Sequence, residues 1–247
     1  MIARRSFLTS TAFALLAAPL AAWAQPAGKL WRIGYLSLGA DVEPFRSRLA
    51  AFRQGLRKLG YMEGENIIIE QRHAAGRVER LRELAAELVR LKVDVLVTDG
   101  DALAAKKVTS TIPIVFVVEP DPVGTGLVAS LAHPGANVTG LADAHADLVP
   151  KRLQLLKEVV PSASRVGVLF NPANSTTAPQ LKIAQTAGPA LGLTVFPVEV
   201  KGPGGEDMGR IFAMMRKERP GGLLVIGDPT LVTHRKQIGR ASCRERV

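Results

Sequence analysis

The sequence predicts an α/β fold in which helices cover both faces of doubly wound parallel sheets. Short apolar runs alternate along the chain with segments of helical period, the signature of repeated βα units. Several runs are nearly continuous in Val, Ile and Leu, as around Val93–Thr98 and Ile114–Val118, which marks strands buried on both faces. The composition is globular: of 247 residues 47% are hydrophobic and 22% charged, which excludes disordered, collagen-like and coiled-coil classes.

In chain order, strands are expected at Trp31–Leu36, Ile67–Gln71, Val93–Thr98, Ile114–Val118 and Val138–Leu141, then at Val166–Phe170, Thr194–Val200 and Leu223–Ile226. Between the first two, Phe45, Leu49, Phe52, Leu56 and Leu59 step by three and four, and Gly60 follows as a stop. Leu81, Leu84, Leu88 and Leu91 repeat the stripe with Arg80, Glu83, Glu87 and Arg90 facing out. Val149, Leu153, Leu156 and Val160 form a third stripe closed by Pro161, and Met208, Ile211, Phe212 and Met215 a fourth. These stripes read as core faces. The first five strands build an N-terminal lobe over residues 25–142. A second, incomplete lobe over residues 143–237 has three strands. Ala142–Val149 is the crossover; lacking Gly and Ser, it reads as a hinge rather than a floppy linker.

The two ends read as standing outside this fold. Residues 1–24 have the layout of a cleavable signal peptide: Arg4 and Arg5, a mostly apolar Phe7–Leu20, then Ala22-Trp23-Ala24 before Gln25. Arg4-Arg5 also suits twin-arginine export, so the Sec and Tat routes both stay open. No cysteine lies near the cleavage site, against a lipoprotein. Residues 238–247, Ile-Gly-Arg-Ala-Ser-Cys-Arg-Glu-Arg-Val, resemble a translated sequencing adapter and are expected to be non-native. The formal net charge of +10 invites a nucleic-acid or membrane partner. Without Arg4 and Arg5, and without Arg240, Arg244, Arg246 and Glu245 of the tail, it falls to +6, interspersed along helix faces. No nucleic-acid partner is expected.

Ligands of open parallel sheets bind beyond the carboxyl ends of the strands. Those ends read Ser37-Leu38-Gly39, Thr98-Asp99-Gly100-Asp101, Glu119-Pro120-Asp121-Pro122, Asn171 to Thr176 and Gly227 to Thr230. Each Asx-Pro pair is explained by helix capping alone. As a set, polar loops at one sheet edge suit a small ligand with an anionic group. The candidate ligand-binding residues are Ser37, Thr98, Asp99, Gly100, Asp101, Asp121, Pro122, Asn171, Asn174, Ser175, Thr176 and Asp228. Gly124-Thr125-Gly126-Leu127-Val128-Ala129 matches G-x-G-x-x-A, but after the fourth strand rather than the first, so a helix start and close packing explain it better than a dinucleotide. His73, His133, His145 and His234 lack metal-ligand spacing, and there is neither a nucleophile elbow nor a P-loop. No catalytic residue, metal or cofactor is expected, although Asp99, Asp101 and Asp121 leave acid–base chemistry open as an alternative.

Longer segments carry a resemblance. Arg32 to Ser37, Phe52-Arg53-Gln54-Gly55-Leu56, Leu59-Gly60-Tyr61 and Asn66-Ile67 belong to it, as do Leu84 to Leu88, Val93-Asp94-Val95 and Ile112 to Phe116. Asp121-Pro122-Val123, Gly126 to Leu131, Asn137 to Gly140 and Asn171-Pro172 extend it. Together they resemble the ABC-transporter substrate-binding proteins of the tryptophan/tyrosine-binding type, from Arg32 to about Gln237. The resemblance implies two lobes of the type I periplasmic-binding fold closing on a small solute, an amino acid or similar small carboxylate. It also implies a monomer in the periplasm that delivers the solute to an inner-membrane ABC permease and its ATPase. A periplasmic sensor partnering a signalling receptor is the alternative on the same scaffold. Asp99-Gly100-Asp101 is more acidic than the resemblance implies at that place, which either disfavours a carboxylate ligand or favours an amine. The family continues past residue 237, so the resemblance implies a C-terminally truncated chain.

Overall fold

In the computed structural model, which describes residues 29–201 and 208–245, two parallel sheets follow one another along the chain. The signal-peptide segment lies outside the described residues. The first sheet contains β1 (Trp31–Ser37), β2 (Ile67–His73), β3 (Val95–Asp99), β4 (Ile114–Glu119) and β5 (Val138–Ala142), in the order β2-β1-β3-β4-β5. Helices α1 (Phe45–Lys58), α2 (Val78–Arg90) and α3 (Leu103–Lys106) connect the first four strands. The second sheet contains β6 (Arg165–Phe170), β7 (Thr194–Glu199) and β8 (Gly222–Val225), in the order β7-β6-β8. It carries α4 (Val149–Val159), α5 (Thr177–Ala187), α6 (Met208–Lys217), α7 (Pro229–Thr233) and α8 (Arg235–Glu245).

Strand alternation sends side chains to two cores in each sheet. In β1, Ile33 and Tyr35 pack with Leu49 of α1 and with Ile67 and Ile69 of β2. Leu36, on the opposite face, joins Leu81, Leu84 and Leu88 of α2 and Phe116 of β4. Gly34 lets this helix approach, because a Cβ there would stand 3.3 Å from Leu88 and Val93. In the second sheet Val166 and Val168 meet Val149 and Leu153 of α4, while Leu169 meets Phe212 of α6, Leu231 of α7 and Ile238 of α8. Ile238 is buried, and α8 runs unbroken through it from Arg235 to Glu245.

All eight expected strands form, with ends shifted by one or two residues. Four details differ from the sequence reading. The βα alternation fails between β4 and β5, where residues 120–137 hold turns, because Pro120, Pro122, Pro134 and glycines interrupt any helix. No helix therefore starts at Gly124–Ala129; Gly126 takes φ +71° within a turn. β5 lies at the sheet edge, so Thr139–Ala142 are exposed rather than covered on both faces. Leu59, read as the last member of the first stripe, caps α1 and is 75% exposed.

In each sheet the chain leaves the central strand toward one side and returns on the other. The switch points fall between β1 and β3 and between β6 and β8. There the loops diverge and leave a crevice at the carboxyl ends. Residues 143–148 carry the chain from the first sheet to the second.

Candidate functional site

The two crevices face one another across a cavity of about 150 Å³. The Asp99–Asp101 loop after β3 and the Glu119-Pro120 end of β4 line it from the first sheet. Asn174, Thr176 and the Gly227–Pro229 loop after β8 line it from the second. Asp143 and His145 enter from the crossover, and Arg48 from α1. The loops touch outside the cavity as well: a Cβ on Gly76, after β2, would stand 2.8 Å from Thr230 Oγ1 of α7.

The first wall is acidic and its carboxylates differ in how far they are satisfied. Asp99, 2% exposed, accepts from Arg48 Nη1 at 3.0 Å and from Tyr35 Oη at 3.2 Å. Burial, and then the Asp99 charge, hold the Tyr35 phenol far above its ordinary range. Asp101 Oδ1 accepts from Leu103 N–H at 3.1 Å, fastening the loop to α3. Asp143 pairs with His145 Nδ1 at 2.6 Å. Glu119 is 2% exposed, and its Oε2 has no hydrogen-bond partner among the described residues. Burial pushes its carboxyl up to about 8; Asp101, Asp143 and Asp121 push the same way, against a hydrogen bond from the Ala102 backbone N–H.

The second wall is a closed hydrogen-bond network. Asp228 Oδ1 caps α7 by accepting from Thr230 N–H at 2.8 Å and Leu231 N–H at 3.2 Å. Its Oδ2 accepts from Asn174 Nδ2 at 2.8 Å and Asn171 Nδ2 at 3.3 Å. The asparagines are oriented in turn: Asn171 Oδ1 accepts from Ala173 N–H, and Asn174 Oδ1 from Thr176 N–H and Oγ1. The Asx-Pro pair at Asp228 thus caps a helix as the sequence suggests, while Asp121 does not: its Oδ1 accepts from Gly124 N–H within a turn.

Of the candidate residues, Asp99, Gly100, Asp101, Asn174, Thr176 and Asp228 line the cavity. Ser37, Thr98, Asn171 and Ser175 do not. Ser37 Oγ accepts from Gly39 N–H, Thr98 and Asn171 are buried, and Ser175 is half-buried. Asp121 and Pro122 stand outside it, in the turn after β4. The Asp99/Asp101/Asp121 cluster therefore does not assemble at the cavity; Glu119 takes the place given to Asp121. Arg48, Val118, Asp143, His145 and Val232 line it unannounced by any motif. No group of three or more His, Cys, Asp or Glu side chains among the described residues is arranged to hold a metal ion.

The profile of the family described as ABC transporter substrate binding protein matches residues 45–236. A tyrosine-binding protein of Clostridioides difficile (strain R20291) is 35% identical over 122 residues, 49% of this chain. That match spans 35% of the relative's length. A crystal structure from Vibrio cholerae O1 biovar El Tor strain N16961, described as a conserved domain protein, superposes with a TM-score of 0.77 at 26% identity. It covers 89% of this chain and 73% of that one. An ABC domain from Streptococcus pneumoniae in complex with L-Trp gives a TM-score of 0.77 at 20% identity, covering 88% of this chain and 72% of that one. The second likeness shows the shared fold.

Proposed function

Because this chain belongs to the ABC transporter substrate binding protein family, we propose that it is the extracytoplasmic solute-binding component of an ABC uptake transporter. It holds an amino acid or similar small carboxylate between its two sheets. The observation that carries this is the cavity where the two switch points meet, lined from both sheets and from the crossover. Its volume lies below the ~300–1,000 Å³ of drug-sized sites, which suits a small metabolite. The Arg48 guanidinium offers donors to a carboxylate, and the acidic first wall offers acceptors to an ammonium group. A tyrosine-binding relative supports an amino-acid-type solute.

The family is one of solute-binding proteins rather than enzymes, and such proteins work with ABC transporters. For this chain we infer a receptor without catalysis, acting as a monomer with an inner-membrane permease and its ATPase. Residues 1–24 would direct it to the periplasm. Residues 143–148 would serve as the hinge between lobes over residues 25–142 and 143–237. No helix among the described residues is long and apolar enough to cross a membrane.

A thermal-shift screen of the purified protein against the common L-amino acids and small carboxylates tests the reading. At least one solute is expected to raise the melting temperature saturably, since a ligand that binds only the folded state stabilises it. Arg48→Met is expected to weaken that shift. Absence of any stabilising solute, together with turnover of one of them, overturns it.

A further inference from the structure

The far end of the first sheet carries an apolar surface that the solute cavity does not use. Strands β1, β2 and β3 run parallel, with Trp31 beside Ile67 and Ile33 beside Val95, so they start together at the end opposite the cavity. Leu30 and Trp31 enter β1 there, and the turn from α1 to β2 holds Leu59, Tyr61 and Met62. Leu59 is 75% exposed and the other four are 42–47% exposed. The turn is tied down by Asn66, whose Nδ2 donates to the Gly60 carbonyl at 2.8 Å and whose Oδ1 accepts from Met62 N–H at 2.7 Å. The Asn66 carbonyl accepts from Trp31 N–H at 3.0 Å, which joins the two segments. Five large apolar side chains gathered on two joined segments differ from the singly scattered ones of an ordinary surface.

The charges around the patch point to its partner. Lys29 pairs with Asp94 at 2.7 Å, its Nζ 3.6 Å from the Trp31 ring centre, and Arg53 pairs with Glu63 at 2.7 Å. Arg57 and Lys58 in the last turn of α1, and Lys92 in the turn before β3, are exposed and have no ion-pair partner among the described residues. Against these three cations stands only Glu65. Trp and Tyr rings suit the boundary between headgroups and acyl chains, Leu and Met suit the acyl side, and surplus cations suit lipid phosphates. We propose that this end of the first sheet is a peripheral docking surface for an anionic lipid bilayer. Trp31, Leu59, Tyr61 and Met62 enter the headgroup boundary, and Arg57, Lys58 and Lys92 lie on the phosphates. Because the cavity is lined by the opposite strand ends, docking leaves it unobstructed whatever solute it takes.

The test follows Trp31 fluorescence in the full chain carrying Trp23→Phe, which leaves Trp31 as its only tryptophan. Vesicles of equal parts phosphatidylglycerol and phosphatidylcholine should shift the emission to the blue, and acyl-brominated lipids in them should quench it. Pure phosphatidylcholine vesicles should do much less. A basic residue near an anionic surface contributes about fivefold to partitioning. The double variant Arg57→Gln/Lys58→Gln should therefore bind on the order of twentyfold more weakly, and high salt should weaken the parent in the same direction. Leu59→Asp, at an exposed position, should abolish the quenching while far-UV circular dichroism and melting temperature stay as in the parent. Residues 1–24 are shared by all of these proteins, so the differences belong to the patch. If anionic vesicles neither shift nor quench Trp31, or if the variants behave as the parent does, the proposal falls. It also falls if Trp31 ignores lipid vesicles but responds to inner-membrane vesicles until they are treated with protease, since the surface then docks a protein.

Discussion

Asp228 is the residue on which the second wall of the site turns, and replacing it separates two roles that the structure combines. In Asp228→Ala the α7 cap is lost, which costs about 1 kcal/mol. The Nδ2 groups of Asn171 and Asn174, each residue 1–2% exposed, also lose their acceptor. Each buried donor left unpaired costs about 1–3 kcal/mol, so the total is about 3–7 kcal/mol. Asp228→Asn is the sharper perturbation. Its amide oxygen can keep the cap, but its NH₂ then faces the two asparagine donors. Flipped, the NH₂ faces the Thr230 and Leu231 N–H groups instead. The asparagines cannot turn to help without abandoning Ala173 N–H and Thr176. Asp228→Asn is therefore expected to cost about 2–4 kcal/mol although it is isosteric and a good capping residue. Urea denaturation followed by far-UV circular dichroism, comparing both variants with the parent, measures this. An Asp228→Asn variant within 0.5 kcal/mol of the parent would refute the reasoning, since capping alone would then account for Asp228.

Glu119 binds its proton more tightly in the folded state, at about 8 against 4.5 in the unfolded chain, so stability is full below pH 4.5 and is lost as the pH rises toward 8. The loss is on the order of 5 kcal/mol, and melting temperatures of Glu119→Gln between pH 5 and 8 should lack most of that slope; parallel slopes for the two proteins would count against it. Gly140→Ala should sharply lower soluble yield and melting temperature, because the added Cβ would lie 2.2 Å from the Phe116 carbonyl oxygen in the neighbouring strand; an unchanged melt contradicts the β4–β5 pairing. Leu153→Ala, fully buried between α4 and the second sheet, should cost about 2–5 kcal/mol in urea denaturation. A cost below about 1 kcal/mol would mean that α4 does not pack there.

Strands were legible because burial on both faces writes itself as local Val, Ile and Leu runs, and helices α1, α2, α4 and α6 because their stripes are apolar. Helix α5 left no such stripe: its buried face is Thr177, Gln180 and Ala184, held partly by hydrogen bonds such as Thr177 Oγ1 to the Asn174 carbonyl. The site divides in the same way. Residues at strand ends, from Asp99 to Asp101 and at Asp228, are found by asking where parallel strands stop, a question that the local sequence answers. Arg48 is not, because its pairing with Asp99 spans 51 positions and depends on how α1 lies over β1 and β3. The exchange of Asp121 for Glu119 has a more specific cause. The register between β4 and β5 shifts between Phe116 and Glu119, so period-two counting along β4 does not tell which carboxylate at its end turns into the cavity. Asp121, two residues on, bonds instead to Gly124 N–H. The chemistry of the first wall thus rests on a one-strand irregularity: it places the buried carboxyl of Glu119 where the ligand-binding Asp121 was expected, and with it an acid that holds its proton near neutral pH.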